Sequence, residues 1–199
     1  FVPYKIPYFI DQTKNIMFHP LIEFVRVTLE VIEYDFSYES VFSLLKTGLL
    51  NVDMSRVYDL ENYALKYGVR GYDWWNKAFR GKVKGLHDIN QTRKEFMDLL
   101  GELAKVFRKN TAKTKEYVSA LYDFMSIICM AEHLHEMSIF MEEKGKLREA
   151  GAYMQAYNKF VSVLDKTMDI LGEEEIARDD FIEVLLTGIS DVRLGVIPS

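Results

Sequence analysis

The chain has 199 residues, about half of them apolar and 28% charged, with a formal net charge of −5. That is enough to bury a substantial core, is too apolar for a disordered chain, and argues overall against a nucleic-acid binder. Charges interrupt every apolar run, so no membrane span is predicted, and the start lacks a basic-then-apolar leader pattern.

Val2 to Ile10 alternates Pro, Tyr and Ile as a short strand would, with Pro3 and Pro7 barring it from a central ladder. His19-Pro20 opens a helix whose stripe is Leu21, Phe24, Val25, Leu29 and Ile32. Ser37 caps a second helix to about Leu45. Asp53 or Ser55 caps a third, with Val57, Leu60, Ala64 and Tyr67 on one face and Gly68 as its stop. GVRGYDWWNKAFRGKVKG follows, a loop with a short helical turn.

Three long helical patterns come next. Their stripes are Phe96, Leu99, Leu100, Leu103 and Phe107, then Tyr117, Leu121, Phe124, Ile128 and Ala131, then Tyr153, Tyr157, Val161, Leu164, Met168 and Leu171. Glu173-Glu174-Glu175 reads as a solvated helix start. Asp179-Asp180 suit the first turn of a last helix, Phe181 to about Thr187, with Gly188 ending it. The tail VRLGVIPS is strand-like again.

The expected fold is therefore all-α, an irregular multi-helix bundle with short strand-like segments at both termini. All four prolines fall at the two ends, and the first residue is Phe1 rather than methionine. Two isolated strands make no sheet. The economical expectation is a piece of a longer polypeptide: residues 1–12 a strand stub of a host domain, 13–190 a helical subdomain, and 191–199 a strand returning to the host.

No G-x-x-x-x-G-K-[ST], G-x-G-x-x-G or G-x-S-x-G occurs, which leaves a nucleotidase, dehydrogenase or α/β hydrolase without support. In AEHLHEM, Glu132 and His135 have the E-x-x-H spacing of a bundle metal site. A second such pair and two further glutamates are missing, so a polar helix face is the better reading. Met125, Met130, Met137 and Met141 read as core filling along one helix rather than a Met-rich binding face. Cys129, the single cysteine, lies in the apolar run SIICMA and is expected to be a buried, inert thiol in a cytosolic protein.

Charge is unevenly spread. From Lys77 to Lys115 there are eleven Lys and Arg against four acids, a balance of +7, while the remainder holds 14 basic and 26 acidic residues, or −12. In the segment Trp74 to Lys84, which overlaps the start of this window, Trp74, Trp75 and Phe79 interleave with Lys77, Arg80, Lys82 and Lys84, a mixture that suits a nucleic-acid backbone or an acidic protein surface. The tryptophans serve equally well as anchors of the loop onto the helices. With Arg93, Lys94, Arg108 and Lys109 from the following helix, these residues are the candidate DNA contacts, expected on one positive face.

Four stretches in order resemble a known family. IPYFIDQTKNIMFHPLIEFV is similar to the beginning of the helical insertion in the B subunit of AddAB-type helicase–nucleases. SYESVFSLLKTGLL and DLENYALKYGVRGYDWW resemble its next two stretches, and DFIEVLLTGISDVRLGVIPS its return to the helicase-like core. The middle, about Gly81 to Glu175, matches only as helix of the right length.

The resemblance implies a helical subdomain inserted in the second helicase-like domain of a UvrD-like fold. It implies a parent that works with an A-type helicase partner on double-stranded DNA ends, in the bacterial cytoplasm, for recombinational repair. ATP with magnesium and an iron–sulfur cluster would belong to the parent, outside this chain, and no catalytic residue is carried over. A protein-only helical adaptor and a metal-binding bundle enzyme are the rival classes.

Overall fold

His19 decides where the first helix begins. Its Nδ1 accepts the Leu21 N–H at 3.2 Å, and Pro20, which has no N–H to lose, takes the first helical position. The computed structural model of the chain describes residues 14–194. Helix α1 is Pro20–Glu33, preceded by a single 3-10 turn, Ile16–Phe18. Asp35 and Phe36, both at positive φ, reverse the chain into α2, Tyr38–Leu45, whose N-cap is Ser37. Asp53 accepts the N–H groups of Ser55 and Arg56 to start α3, Met54–Tyr67, and Gly68 closes it in the left-handed conformation at φ 64.

The one-turn α4, Tyr72–Trp75, leads through the glycine-rich loop to α5, Leu86–Phe107. Then come α6, Thr114–Ile127, α7, Met130–Glu143, α8, Leu147–Leu171, and α9, Arg178–Ser190. A single apolar core joins them. Phe24 of α1 stacks on Phe124 of α6 at 6.0 Å between centroids, and Phe107, Tyr117 and Phe181 tie α5, α6 and α9 together at 4.8–5.8 Å. The all-α architecture is as expected.

Two short ladders interrupt it. β1, Lys14–Asn15, pairs antiparallel with β4, Arg193–Leu194, Lys14 opposite Leu194. β2, Thr111–Lys113, pairs with β3, Glu175–Ala177, in the body of the fold, where no strand was expected. This pair also corrects the reading of the triple glutamate. Glu175 is in β3, and Glu173 bridges Lys115 at 2.6 Å and Lys113 at 2.9 Å. Those two ammonium groups hold the Glu173 carboxyl at about 2. The strand expected over Val2–Ile10, the tail beyond Leu194 and the 1–12 stub lie outside the described residues.

Three further expectations fail for identifiable reasons. The helix drawn through Ala131 breaks at Cys129, which has φ 51, and Ile128 and Met130 enter the core on either side of the break. The four methionines thus sit on two helices, Met125 and Met130 buried, Met137 and Met141 packed against the core. Cys129 itself is exposed, not buried, because it occupies the turn rather than a helix face. Gly188 lies inside α9 instead of ending it. A Cβ there would come 3.1 Å from Val163 Cγ1, so its role is close contact between α9 and α8.

Candidate nucleic-acid interface

The loop between α4 and α5 is anchored from below by rings. Trp75 is fully buried, its indole N–H donating to the Phe36 carbonyl at 3.1 Å, with Phe79 and Phe96 edge-on at 5.8 and 5.7 Å. Arg93, also buried, donates to the Trp75 carbonyl at 2.5 Å and lies over the Phe79 ring. Burial lowers the Arg93 pKa. These two members of the candidate set belong to the core. Removing a buried Trp costs about 3–5 kcal/mol, so Trp75 reports on folding and not on contacts with a ligand.

Two side chains clamp the loop backbone. Asn90 of α5 accepts the Phe79 N–H at 2.7 Å and donates to the Phe79 carbonyl at 3.0 Å. The Tyr63 hydroxyl of α3 accepts the Arg80 N–H at 3.1 Å and donates to the Arg80 carbonyl at 2.8 Å. One residue on, Gly81 at φ 138 passes so close to Tyr67 that a Cβ would lie 2.8 Å from its hydroxyl oxygen. The loop is thus held in one shape without a ladder of its own.

On this frame Trp74 is half exposed, and Lys77, Arg80, Lys82 and Lys84 are exposed. None of those four cations forms an ion pair among the described residues. Apart from the buried Arg93, the rest of the basic window is paired with acids. Lys94 pairs with Asp98 at 2.7 Å, Arg108 with Asp35 at 2.6 Å and Lys109 with Glu116 at 2.7 Å. Arg108 also lies 4.1 Å over the Tyr72 ring, pinning α4 to the end of α5. The structure therefore concentrates unpaired positive charge on residues 77–84 instead of along α5.

Beside the loop is a recess of about 650 Å³. Tyr63, Tyr67, Trp74 and Phe79 supply its rings, Lys77 and Arg80 its cations, and Asp73 its carboxylate. Tyr63 stacks on Phe79 and tilts against Tyr67, each at 4.5 Å. The Lys66 ammonium lies 5.4 Å from the centre of the Tyr67 ring. The sequence alone did not single out Tyr63 or Lys66, and it placed Tyr67 on the core stripe. The spacing of Tyr63 and Tyr67 along α3 was the available signal, since i and i+4 share a face.

Among the described residues no three His, Cys, Asp or Glu side chains are grouped to hold a metal, and Glu132 and His135 are both exposed on α7. Nor is any helix there long and apolar enough to cross a membrane.

No family model matches the chain. Individual proteins do. The B subunit of the ATP-dependent helicase/deoxyribonuclease of Clostridium botulinum strain Hall is 34% identical over the whole of this chain, which spans 18% of that protein. The proteins of the same name from Clostridium novyi strain NT and Acetivibrio thermocellus are 35% and 31% identical, again over the whole chain and 18% of their own length. The similarity includes the middle of the chain, where no motif stands out. Over its full length the chain is homologous to a stretch of these helicase/deoxyribonuclease B subunits that makes up 18% of their length.

Proposed function

We propose that the chain is a helical, non-catalytic part of the B subunit of a bacterial helicase–nuclease, and that it holds DNA while other parts of the longer protein do the chemistry. The observation that carries the DNA contact is the set of four unpaired cations, Lys77, Arg80, Lys82 and Lys84, on a loop clamped by Tyr63 and Asn90. Counterion release favours such a cluster on a phosphate backbone. Placement as an insertion in the second helicase-like domain draws support from the Lys14–Leu194 pairing, because the two crossings of an inserted domain are neighbours in their host. Double-stranded ends, an A-type helicase subunit and the rest of the longer chain are its partners in this reading. ATP, magnesium and an iron–sulfur cluster would be bound elsewhere in the parent.

The test is Lys82→Glu with Lys84→Glu in the complete protein assembled with its helicase partner. DNA affinity should fall for all sequences. The slope of log affinity against log salt should flatten by about one for each phosphate no longer engaged. ATP turnover without DNA should be unchanged. An unaltered salt slope overturns the proposal.

A second reading, a protein-only adaptor, has one observation in its favour. Along and beside α7, Ile127, Ile139, Phe140 and Leu147 are 43–62% exposed. It expects the lysine substitutions to loosen assembly with the helicase partner and leave the salt dependence of DNA binding alone.

A further inference from the structure

We infer that the recess beside the loop receives an unpaired nucleobase, so that the DNA held here is single-stranded or frayed rather than continuous duplex. This rests on the DNA-contact reading and narrows it. Lysines alone suffice to hold duplex phosphates. In a duplex the faces of the bases are stacked inside, and only edges and backbone can be reached. The stacked pair Tyr63–Phe79 is buried and forms the floor of the recess, while Trp74, half exposed, and Tyr67, partly exposed, supply ring surface that only a base out of its stack can use.

Charge within the site agrees with this orientation. Asp73 lines the recess, so a phosphate placed inside would meet a carboxylate. A base carries no such charge, and its exocyclic amine or ring N–H can donate to Asp73. Lys77 and Arg80 also line the recess, and Lys82 and Lys84 follow in the same exposed loop, where the flanking phosphates of a strand would run. The site is also preformed. Tyr63 fixes Arg80 through both backbone groups, Asn90 fixes Phe79 likewise, and Gly81 closes against Tyr67. Little ordering entropy is then lost on binding.

The experiment is titration of the 199-residue chain with a short oligothymidylate and with a duplex of equal length, at low salt, followed by tryptophan fluorescence and anisotropy. Single strand should bind about tenfold tighter than duplex and quench the emission, as expected for one stacked base worth ~1–3 kcal/mol. Trp74→Ala should remove about that tenfold from single-strand affinity and leave duplex affinity as it was. Trp74→Phe should retain most of it. Trp74 is half exposed, so both variants should fold, with circular dichroism as the check. Lys82→Glu with Lys84→Glu should weaken both forms of DNA. Equal affinity for the two forms, or indifference of single-strand binding to Trp74→Ala, overturns the base-in-recess inference and leaves the DNA-contact reading standing. Failure of both oligonucleotides to bind overturns both readings.

Discussion

The Tyr63 hydroxyl holds Arg80 by its N–H and its carbonyl at once, at 3.1 and 2.8 Å, across seventeen residues of sequence. A phenol here does what a neighbouring strand would do in a sheet. Burial raises the Tyr63 pKa, so the hydroxyl stays protonated and remains both donor and acceptor. Tyr63→Phe keeps the ring stacked on Phe79 and deletes both bonds. The expected loss is about 1–2 kcal/mol, with a midpoint of thermal unfolding lower by about 3–6 °C. Trypsin should nick the loop after Arg80, Lys82 or Lys84 several-fold faster than in the unsubstituted chain. Unchanged nicking would mean that the ring, not the hydroxyl, holds the loop.

Gly188 of α9 faces Val163 of α8 with no room for a side chain of any length between them. Alanine there gains about 1 kcal/mol of helix propensity and meets Val163 Cγ1 at 3.1 Å, two opposing effects of similar size. Leucine cannot escape the contact. Gly188→Leu should destabilise the fold by about 1–3 kcal/mol. Val163→Ala in the same chain should recover a large part of that, giving a coupling that urea unfolding of the four proteins of the double-mutant cycle measures. Strict additivity would show that the leucine is accommodated elsewhere.

Local chemistry made much of this fold readable. The starts at Pro20, Tyr38 and Met54 follow from His19, Ser37 and Asp53, each bonding the N–H groups of its own first turn. Gly68 marks its stop for the same local reason. The break at Cys129 left no such mark, since neither Gly, Pro nor Asn stands there and the apolar period runs on through Ile128 and Met130. The short β2–β3 ladder was hidden by its length, three residues being too few to show alternation. At the candidate site the loop itself was legible. Adjacent residues on one helical turn point about 100° apart, so only one of Trp74 and Trp75 could face the core, but the packing of Phe36 and Phe96 decides which. The positive face expected along α5 shrank because Asp35 and Glu116 reach Arg108 and Lys109 and neutralise them, although both acids lie outside the basic window. Pairing across 73 residues has no signature in a linear count.

The exposed turn at Cys129 carries its own consequence. A non-glycine residue at φ 51 costs about 1 kcal/mol, and the thiol is open to solvent. A disulfide reagent should therefore label Cys129 in the folded chain without denaturant, within a few-fold of the rate for a small free thiol. Cys129→Gly should raise stability by about 0.5 kcal/mol, because glycine takes the left-handed conformation freely and offsets part of that gain in the unfolded chain. Labelling that waits for unfolding would contradict the turn at this position.

His19 makes stability depend on pH. Its Nδ1 accepts the Leu21 N–H, which places the proton of the neutral ring on Nε2. The ring is buried edge-on against Tyr153 at 4.9 Å, and Nε2 has no partner among the described residues. Protonation would charge a buried ring and destroy the cap, and burial lowers the pKa from 6.5 to about 4. The unfolded chain takes up this proton as the pH falls through 6.5, and the folded chain resists until about 4. Between those values the unfolded state binds more protons, so stability is complete above about 6.5 and declines on acidification, with a slope approaching 1.4 kcal/mol per pH unit. His19→Asn keeps a good capping acceptor and cannot be charged. Urea unfolding at about pH 7.5 should then show the variant near the unsubstituted chain or somewhat below it, for the lost ring packing. At about pH 5 the unsubstituted chain should have lost on the order of 1–2 kcal/mol more than the variant. Parallel pH profiles for the two proteins would show that His19 takes up its proton in the folded chain as readily as in the unfolded one.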